Sequence, residues 1–105
     1  MNATDEITPL WSQDQAIAYE AALEAINDVI AGYSEQIEAE ESNPRPNEAR
    51  LALLTMQTSH AAQIRDALDV TDDVSVRQVL QEFCAIVRAR DAGESTALAA
   101  RRIGL

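Results

Sequence analysis

The sequence predicts an all-α protein, and three observations support this fold class. Apolar side chains in the first third of the chain recur at alternating spacings of three and four residues, which is the pattern of one helix face. The 105 residues include only three glycines and three prolines, too few for the turns of a multistranded β fold. Two of the prolines fall together in Asn-Pro-Arg-Pro, an unambiguous break between helical segments.

The first predicted helix covers residues 12–41. Ser12 followed three residues later by Gln15 is a capping-box start. One face of this helix carries a coiled-coil-like seam: Ala16, Tyr19, Leu23, Ile26, Ile30, Tyr33 and Ile37. Beside the seam runs a row of small residues: Ala18, Ala22, Ala25, Val29 and Gly32. Two apolar faces predict two neighbouring helices, with close packing at the small residues.

The second predicted helix covers residues 47–69, with Asn47 or Asn43 as its cap. The short Asn-Pro-Arg-Pro connection predicts that it folds back on the first helix as an antiparallel hairpin. One stripe consists of Leu51, Leu54, Thr58, Ala61, Ile64 and Leu68, and a second of Leu53, Met56 and His60. Two stripes predict a central position for this helix.

A third helix is predicted over residues 75–91, opened by a capping box of Ser75 and Gln78 and ended at Ala92-Gly93. A short C-terminal helix is predicted over residues 95–103. We expect one helical domain over residues 1–105, with a loose leader at 1–11 and a tail at 92–105 that is mobile or becomes ordered on binding. Because Ala dominates the apolar residues, the core is expected to be shallow.

The net charge of −10 is concentrated in the first helix and its leader. Residues 1–42 contain ten acidic and no basic residues, whereas residues 43–105 contain eight of each. A negative surface repels nucleic-acid phosphates and anionic membranes and attracts basic partners. We therefore predict neither a nucleic-acid nor a membrane partner.

Catalytic and metal-binding motifs are not evident. One histidine and one cysteine are too few for a transition-metal site within the chain, and no Gly-rich phosphate loop is present. The single thiol, Cys84, cannot form an internal disulfide and lies on an apolar helix face, where a thiol is unreactive. We predict a cytoplasmic, non-enzymatic protein without a cofactor.

His60 suggests one alternative function. In size and helix content the chain resembles the histidine phosphotransfer domains of two-component relays, which implies a phosphorelay carrier using His60. The phosphorylated histidine of those domains is followed by a basic residue and a glycine, whereas His60 precedes Ala-Ala-Gln-Ile-Arg. The sequence thus departs from the pattern at the residues that define it.

The hypothesis that we favour is a protein-binding module such as an antitoxin, immunity protein, inhibitor or adaptor. Its partner-binding residues would be the acids of the first helix together with the histidine: Glu20, Glu24, Asp28, Glu35, Glu38 and His60. The partner is expected to have a basic surface. A homodimeric structural or regulatory bundle is compatible with this function, because a second copy would complete the thin core.

Overall fold

Three long helices make up the part of the chain that the computed structural model describes, which is the backbone of residues 11–102 and the side chains of residues 11–93. They are α1 (Gln13–Glu41), α2 (Glu48–Ala67) and α3 (Asp73–Arg102), and no strand occurs among these residues. The predicted all-α class is therefore confirmed. Residues 1–10, which hold most of the predicted leader, and residues 103–105 lie outside the described part.

The start of α1 has the predicted capping box. The Ser12 hydroxyl accepts a hydrogen bond from the backbone N–H of Gln15 at 3.1 Å, and the Ser12 N–H donates to the Gln15 side-chain oxygen at 2.7 Å. These two bonds satisfy N–H groups that have no partner within the helix.

The connection from α1 to α2 is held by polar contacts. Asn47 caps α2 by accepting from the Arg50 N–H at 3.0 Å, and the Glu40 carboxylate accepts from the Asn47 N–H at 3.0 Å. Farther along, Arg65 near the end of α2 donates to Asn27 in the middle of α1 at 3.0 Å. Because later residues of α2 meet earlier residues of α1, these two helices run in opposite directions.

The predicted limits of the third helix are wrong at both ends. The helix begins at Asp73, and the Asp72 carboxylate, instead of the Ser75 hydroxyl, acts as its cap by accepting from the Ser75 N–H at 3.2 Å. The predicted stop at Ala92-Gly93 is absent, since helical backbone continues to Arg102 in place of a separate helix over 95–103. Gly93 does not adopt the left-handed conformation of a helix-ending glycine. A glycine inside a helix costs about 1 kcal/mol relative to alanine, yet α3 continues through Gly93.

Helix α1 is the central element, which corrects the expectation that α2 is central. It contacts both α2 and α3, while no Cα atom of α2 comes within 8 Å of one of α3 in the described residues. Val76 shares a buried cluster with Ala18 and Ala22, and Phe83 shares another with Ile26 and Val29. Later residues of α1 thus meet later residues of α3, so these two helices run in the same direction.

The most buried face of α1 is the row of small residues instead of the seam of larger ones. Ala18, Ala22, Ala25 and Val29 are buried, whereas Ile26 is the one seam residue of α1 that is fully buried. Small side chains let two helix axes approach closely. Ala18 and Ala22 share their buried cluster with Val76 of α3, and Ala25 and Val29 share theirs with Ala61 of α2 and Phe83 of α3. Only Ile26 and Val76 are large and fully buried in the described residues, as expected for a shallow core.

Candidate partner-binding site

The candidate site, called here the α1–α3 groove, runs along one face of α1 and continues into the outer side of the α1–α3 contact. In the described residues its first half is lined by α1 alone and its second half by α1 and α3. It consists of two adjoining depressions of about 430 and 400 Å³, which share Ala21 and Glu24. The α1 side is formed by Gln13, Ala16, Ile17, Glu20, Ala21, Glu24, Ala25 and Asp28, and the α3 side by Leu80, Cys84, Val87 and Arg88.

The floor of the groove is apolar. Leu80, Cys84 and Val87 of α3 lie opposite Ala21 and Ala25 of α1, whose small side chains leave the depression open. At the other end Ile17 has 60% of its surface exposed. Removing exposed aliphatic surface from water stabilises a complex by about 25 cal/mol per Å², so covering this floor favours association with a partner.

The rim on the α1 side is acidic. Glu20 and Glu24 are exposed and line the groove, and neither carboxylate forms an ion pair with another described residue. Arg88 lies on the opposite side. Free carboxylates beside an apolar floor match a ligand that carries apolar and cationic groups on neighbouring faces.

Asp28, at the end of the groove, is engaged within the protein. Arg90 of α3 donates to both oxygens of the Asp28 carboxylate at 3.3 and 3.4 Å and also contacts Asp91 at 3.2 Å. The hydrogen bond to Asp28 is the main reason that the pKa of Arg90 lies above its ordinary value, and the bond to Asp91 acts in the same direction. This contact connects α1 to α3, so Asp28 has a structural role.

The other predicted site residues lie apart from the groove. Glu35 lines a small polar depression with Asp28 and Arg90. Glu38 is exposed farther along α1, and His60 is exposed on α2, where it lines a cleft between α2 and α3. The groove therefore includes Glu20, Glu24 and Asp28 of the predicted set, but not Glu35, Glu38 or His60.

Sequence reasoning missed the apolar floor and Arg90. Ile17 gave a signal, because a β-branched apolar residue stands there on the acidic face of α1 between Asp14 and Glu20. Arg90 gave none, since it is 62 residues from Asp28 in the sequence. Leu80, Cys84 and Val87 are apolar residues at helical spacing in the sequence, but that pattern alone does not distinguish a groove floor from a buried core.

The described residues show neither a metal-binding cluster nor a membrane-spanning helix. No group of three or more His, Cys, Asp or Glu side chains there is arranged to hold a metal ion. None of the helices in the same region combines the length and the apolar character needed to cross a membrane.

Comparison with known protein families, with curated proteins and with solved structures found no match to this chain.

Proposed function

We propose that this protein is a non-enzymatic binding module whose α1–α3 groove receives a basic amphipathic helix of a protein partner. The observation that carries the proposal is the position of Glu20 and Glu24, which form no ion pair with another described residue, along open apolar surface that includes the exposed Ile17. A helix laid into a groove with apolar anchors is a recurring mode of protein recognition.

The two parts of the groove contribute differently to binding. Covering the apolar floor supplies affinity, because it removes aliphatic surface from water. The carboxylates select a cationic ligand and speed its association more than they strengthen the complex. With ten acids and no bases in residues 1–42, the field around α1 attracts cations over about a Debye length, or ~8 Å at physiological salt.

Antitoxins, immunity proteins, inhibitors and adaptors all act through an exposed binding surface and need no catalytic groups. We assign the protein to that set, with the α1–α2 hairpin as the support that holds one wall of the groove. A reducing cytoplasmic location is part of the proposal, because Cys84 has no second thiol in the chain. Nucleic-acid binding is not part of it, since the net charge is −10.

A synthetic peptide tests the proposal on the full chain. The groove extends along α1 from Gln13 to Asp28, about 23 Å at 1.5 Å per residue. An Arg/Leu amphipathic helix of about 15 residues matches that length. We expect it to bind more tightly than a scrambled peptide of the same composition, because only an ordered apolar stripe covers the floor. Fluorescence anisotropy at several salt concentrations measures both affinities.

Charge reversal separates the groove from the overall field. Glu24→Arg changes the rim, whereas Glu38→Arg makes the same change in net charge at an exposed position away from the groove. We expect Glu24→Arg to weaken binding about five- to tenfold and Glu38→Arg less than twofold, consistent with about 1 kcal/mol for a local charge contact. Equal effects of the two variants, or equal binding of the scrambled peptide, would contradict the groove as the site.

A phosphorelay carrier that uses His60 is the second candidate, and the exposure of the His60 side chain beside the α2–α3 cleft favours it. An exposed imidazole is accessible to a phosphodonor. Incubation with histidine-kinase phosphodonors, followed by a search for an acid-labile label, tests this role. A label that is lost in His60→Gln would support it, and the absence of label on the wild-type protein would end it.

A further inference from the structure

The outer face of α2 carries a second coiled-coil-like seam that nothing in the described chain covers. It consists of Ala49, Leu53, Met56, His60 and Gln63, which alternate at spacings of four and three. All five are exposed, with Leu53 at 49% and Met56 at 62%. The core of the protein uses the other stripe of α2, through buried Leu54 and Ala61.

The α2 seam lies in the longest stretch of the sequence without an acidic residue, although Glu82 of α3 lines the cleft beside His60 at its edge. No acidic residue occurs from Ala49 to Arg65, although the whole chain has eighteen acids against eight bases. The exposed apolar residues Ile17 and Val74, by contrast, have carboxylates within three residues of them in the sequence. Two copies of a strongly negative protein repel each other except where the approaching faces lack carboxylates.

We propose that the α2 seam packs against the same seam of a second copy, related by a two-fold axis. Contact of identical surfaces closes at two copies. Leu53 and Met56 then form the apolar centre, and polar groups at His60 and Gln63 define the register, as polar seam residues do in coiled coils. This inference is independent of the α1–α3 groove, which lies along α1 and α3 and uses none of these residues.

The area of the seam limits the strength of the dimer. Helix α2 has 20 residues and is therefore about 30 Å long. A strip of that length and one helix wide is smaller than the ~800 Å² per partner of a standard interface. We therefore expect a dissociation constant on the order of tens of micromolar.

Sedimentation equilibrium of the full chain tests the dimer with two matched variants. Met56→Glu places a charge on the seam. Ile17→Glu introduces the same charge outside the seam, at a position of nearly equal exposure: 60% of Ile17 is exposed, against 62% of Met56. We expect the wild type and Ile17→Glu to dimerise with similar dissociation constants. The dissociation constant of the Met56→Glu dimer should be at least tenfold higher. A monomeric wild type up to about 200 µM, which is well above the expected constant, would overturn the proposal. Equal effects of the two variants, or association beyond two copies, would also contradict it.

A measurement on the wild-type protein needs no variant. Hydrogen–deuterium exchange compared between dilute and concentrated samples should show protection that rises with concentration in α2 and stays constant at residues 13–24 of α1. Uniform or absent change contradicts the α2 seam as the interface. The peptide assay distinguishes the two proposals, because Met56→Glu should retain binding of the Arg/Leu peptide and Ile17→Glu should lose it.

Discussion

Gly32 of α1 leaves room for the Arg90 side chain of α3. A Cβ atom at Gly32 would stand 3.1 Å from Nη1 of Arg90, which is closer than most van der Waals contacts, whereas a Cβ at Gly93 would meet nothing within 4 Å. The same guanidinium binds the Asp28 carboxylate one turn earlier on α1. The glycine in the middle of α1 therefore accommodates a side chain that connects the first helix to the third.

The two helical glycines allow a matched test of this contact. Gly93→Ala should raise the free energy of unfolding by up to about 1 kcal/mol, the usual helix-propensity gain. Gly32→Ala should raise the free energy of unfolding by only about 0.5 kcal/mol, because the new methyl group displaces the Arg90 guanidinium from Asp28. Urea denaturation measures both. In an Arg90→Ala background the deficit at Gly32 should disappear, and its persistence would show that Arg90 is not the cause.

Enlarging the buried row of α1 should destabilise the protein. Ala22 is fully buried in the cluster that α1 forms with Val76 of α3, whereas Ala31 is exposed on the same helix. We expect Ala22→Leu to lower the free energy of unfolding by about 2 kcal/mol, because added methylenes in a close helix contact force the helices apart. Ala31→Leu should change it by less than about 0.5 kcal/mol. Similar values from chemical denaturation would mean that the small row does not form the closest contact.

Alanine substitutions at the start of α3 identify its cap. Asp72→Ala should cost about 1 kcal/mol, because the Ser75 N–H loses the carboxylate that accepts its hydrogen bond. Ser75→Ala should cost no more than a few tenths of a kcal/mol, since Ser75 lies inside the helix. Thermal unfolding followed by circular dichroism compares them. A larger loss for Ser75→Ala would support the capping box that the sequence suggested.

The turn between α2 and α3 should make stability depend on acid pH. Asp69 accepts from the Thr71 hydroxyl at 2.7 Å and from the Thr71 N–H at 2.9 Å, and these bonds hold the pKa of Asp69 below its ordinary value. A lowered folded-state pKa stabilises the fold above the unfolded-state pKa of about 3.9, and this contribution is lost as the pH falls through the lower folded value.

Thr71→Ala measures that contribution because it removes the hydroxyl that donates to Asp69. The difference in unfolding free energy between the wild type and Thr71→Ala should be constant above about pH 5 and shrink below about pH 4. Thr55→Ala, at an exposed position of α2, should show no such dependence. If the difference in unfolding free energy between the wild type and Thr71→Ala stayed constant down to about pH 2, the attribution of the pH dependence to Asp69 would be refuted.

Local patterns predicted the parts of the fold that depend on local interactions. The start of α1 was correct, and one of the two caps predicted for α2, Asn47, is the cap observed, because a capping side chain acts on an N–H only three residues away. The cap of α3 was wrong because Asp72 and Ser75 each begin a plausible capping pattern. The pattern does not show which carboxylate or hydroxyl reaches the free N–H.

The packing order was wrong for a different reason. Sequence analysis gives most weight to large apolar residues such as Leu53 and Met56, which are exposed. Four of the nine buried residues in the described part are alanines, Ala18, Ala22, Ala25 and Ala61, whose small size matters more than their hydrophobicity. For the site, the acids Glu20 and Glu24 were predicted from charge alone. The pairing of Asp28 with Arg90 was not, since it depends on how α3 lies along α1.

The central position of α1 has a consequence for local opening. Because α2 and α3 meet through side chains and not through close backbones, either of them is able to lift away while α1 keeps its contact with the other. Amide protons of α1 around Ile26 then require both neighbours to leave before they exchange with solvent. We expect these protons to exchange most slowly, so the helix that carries most of the net negative charge is also the most persistent part of the molecule.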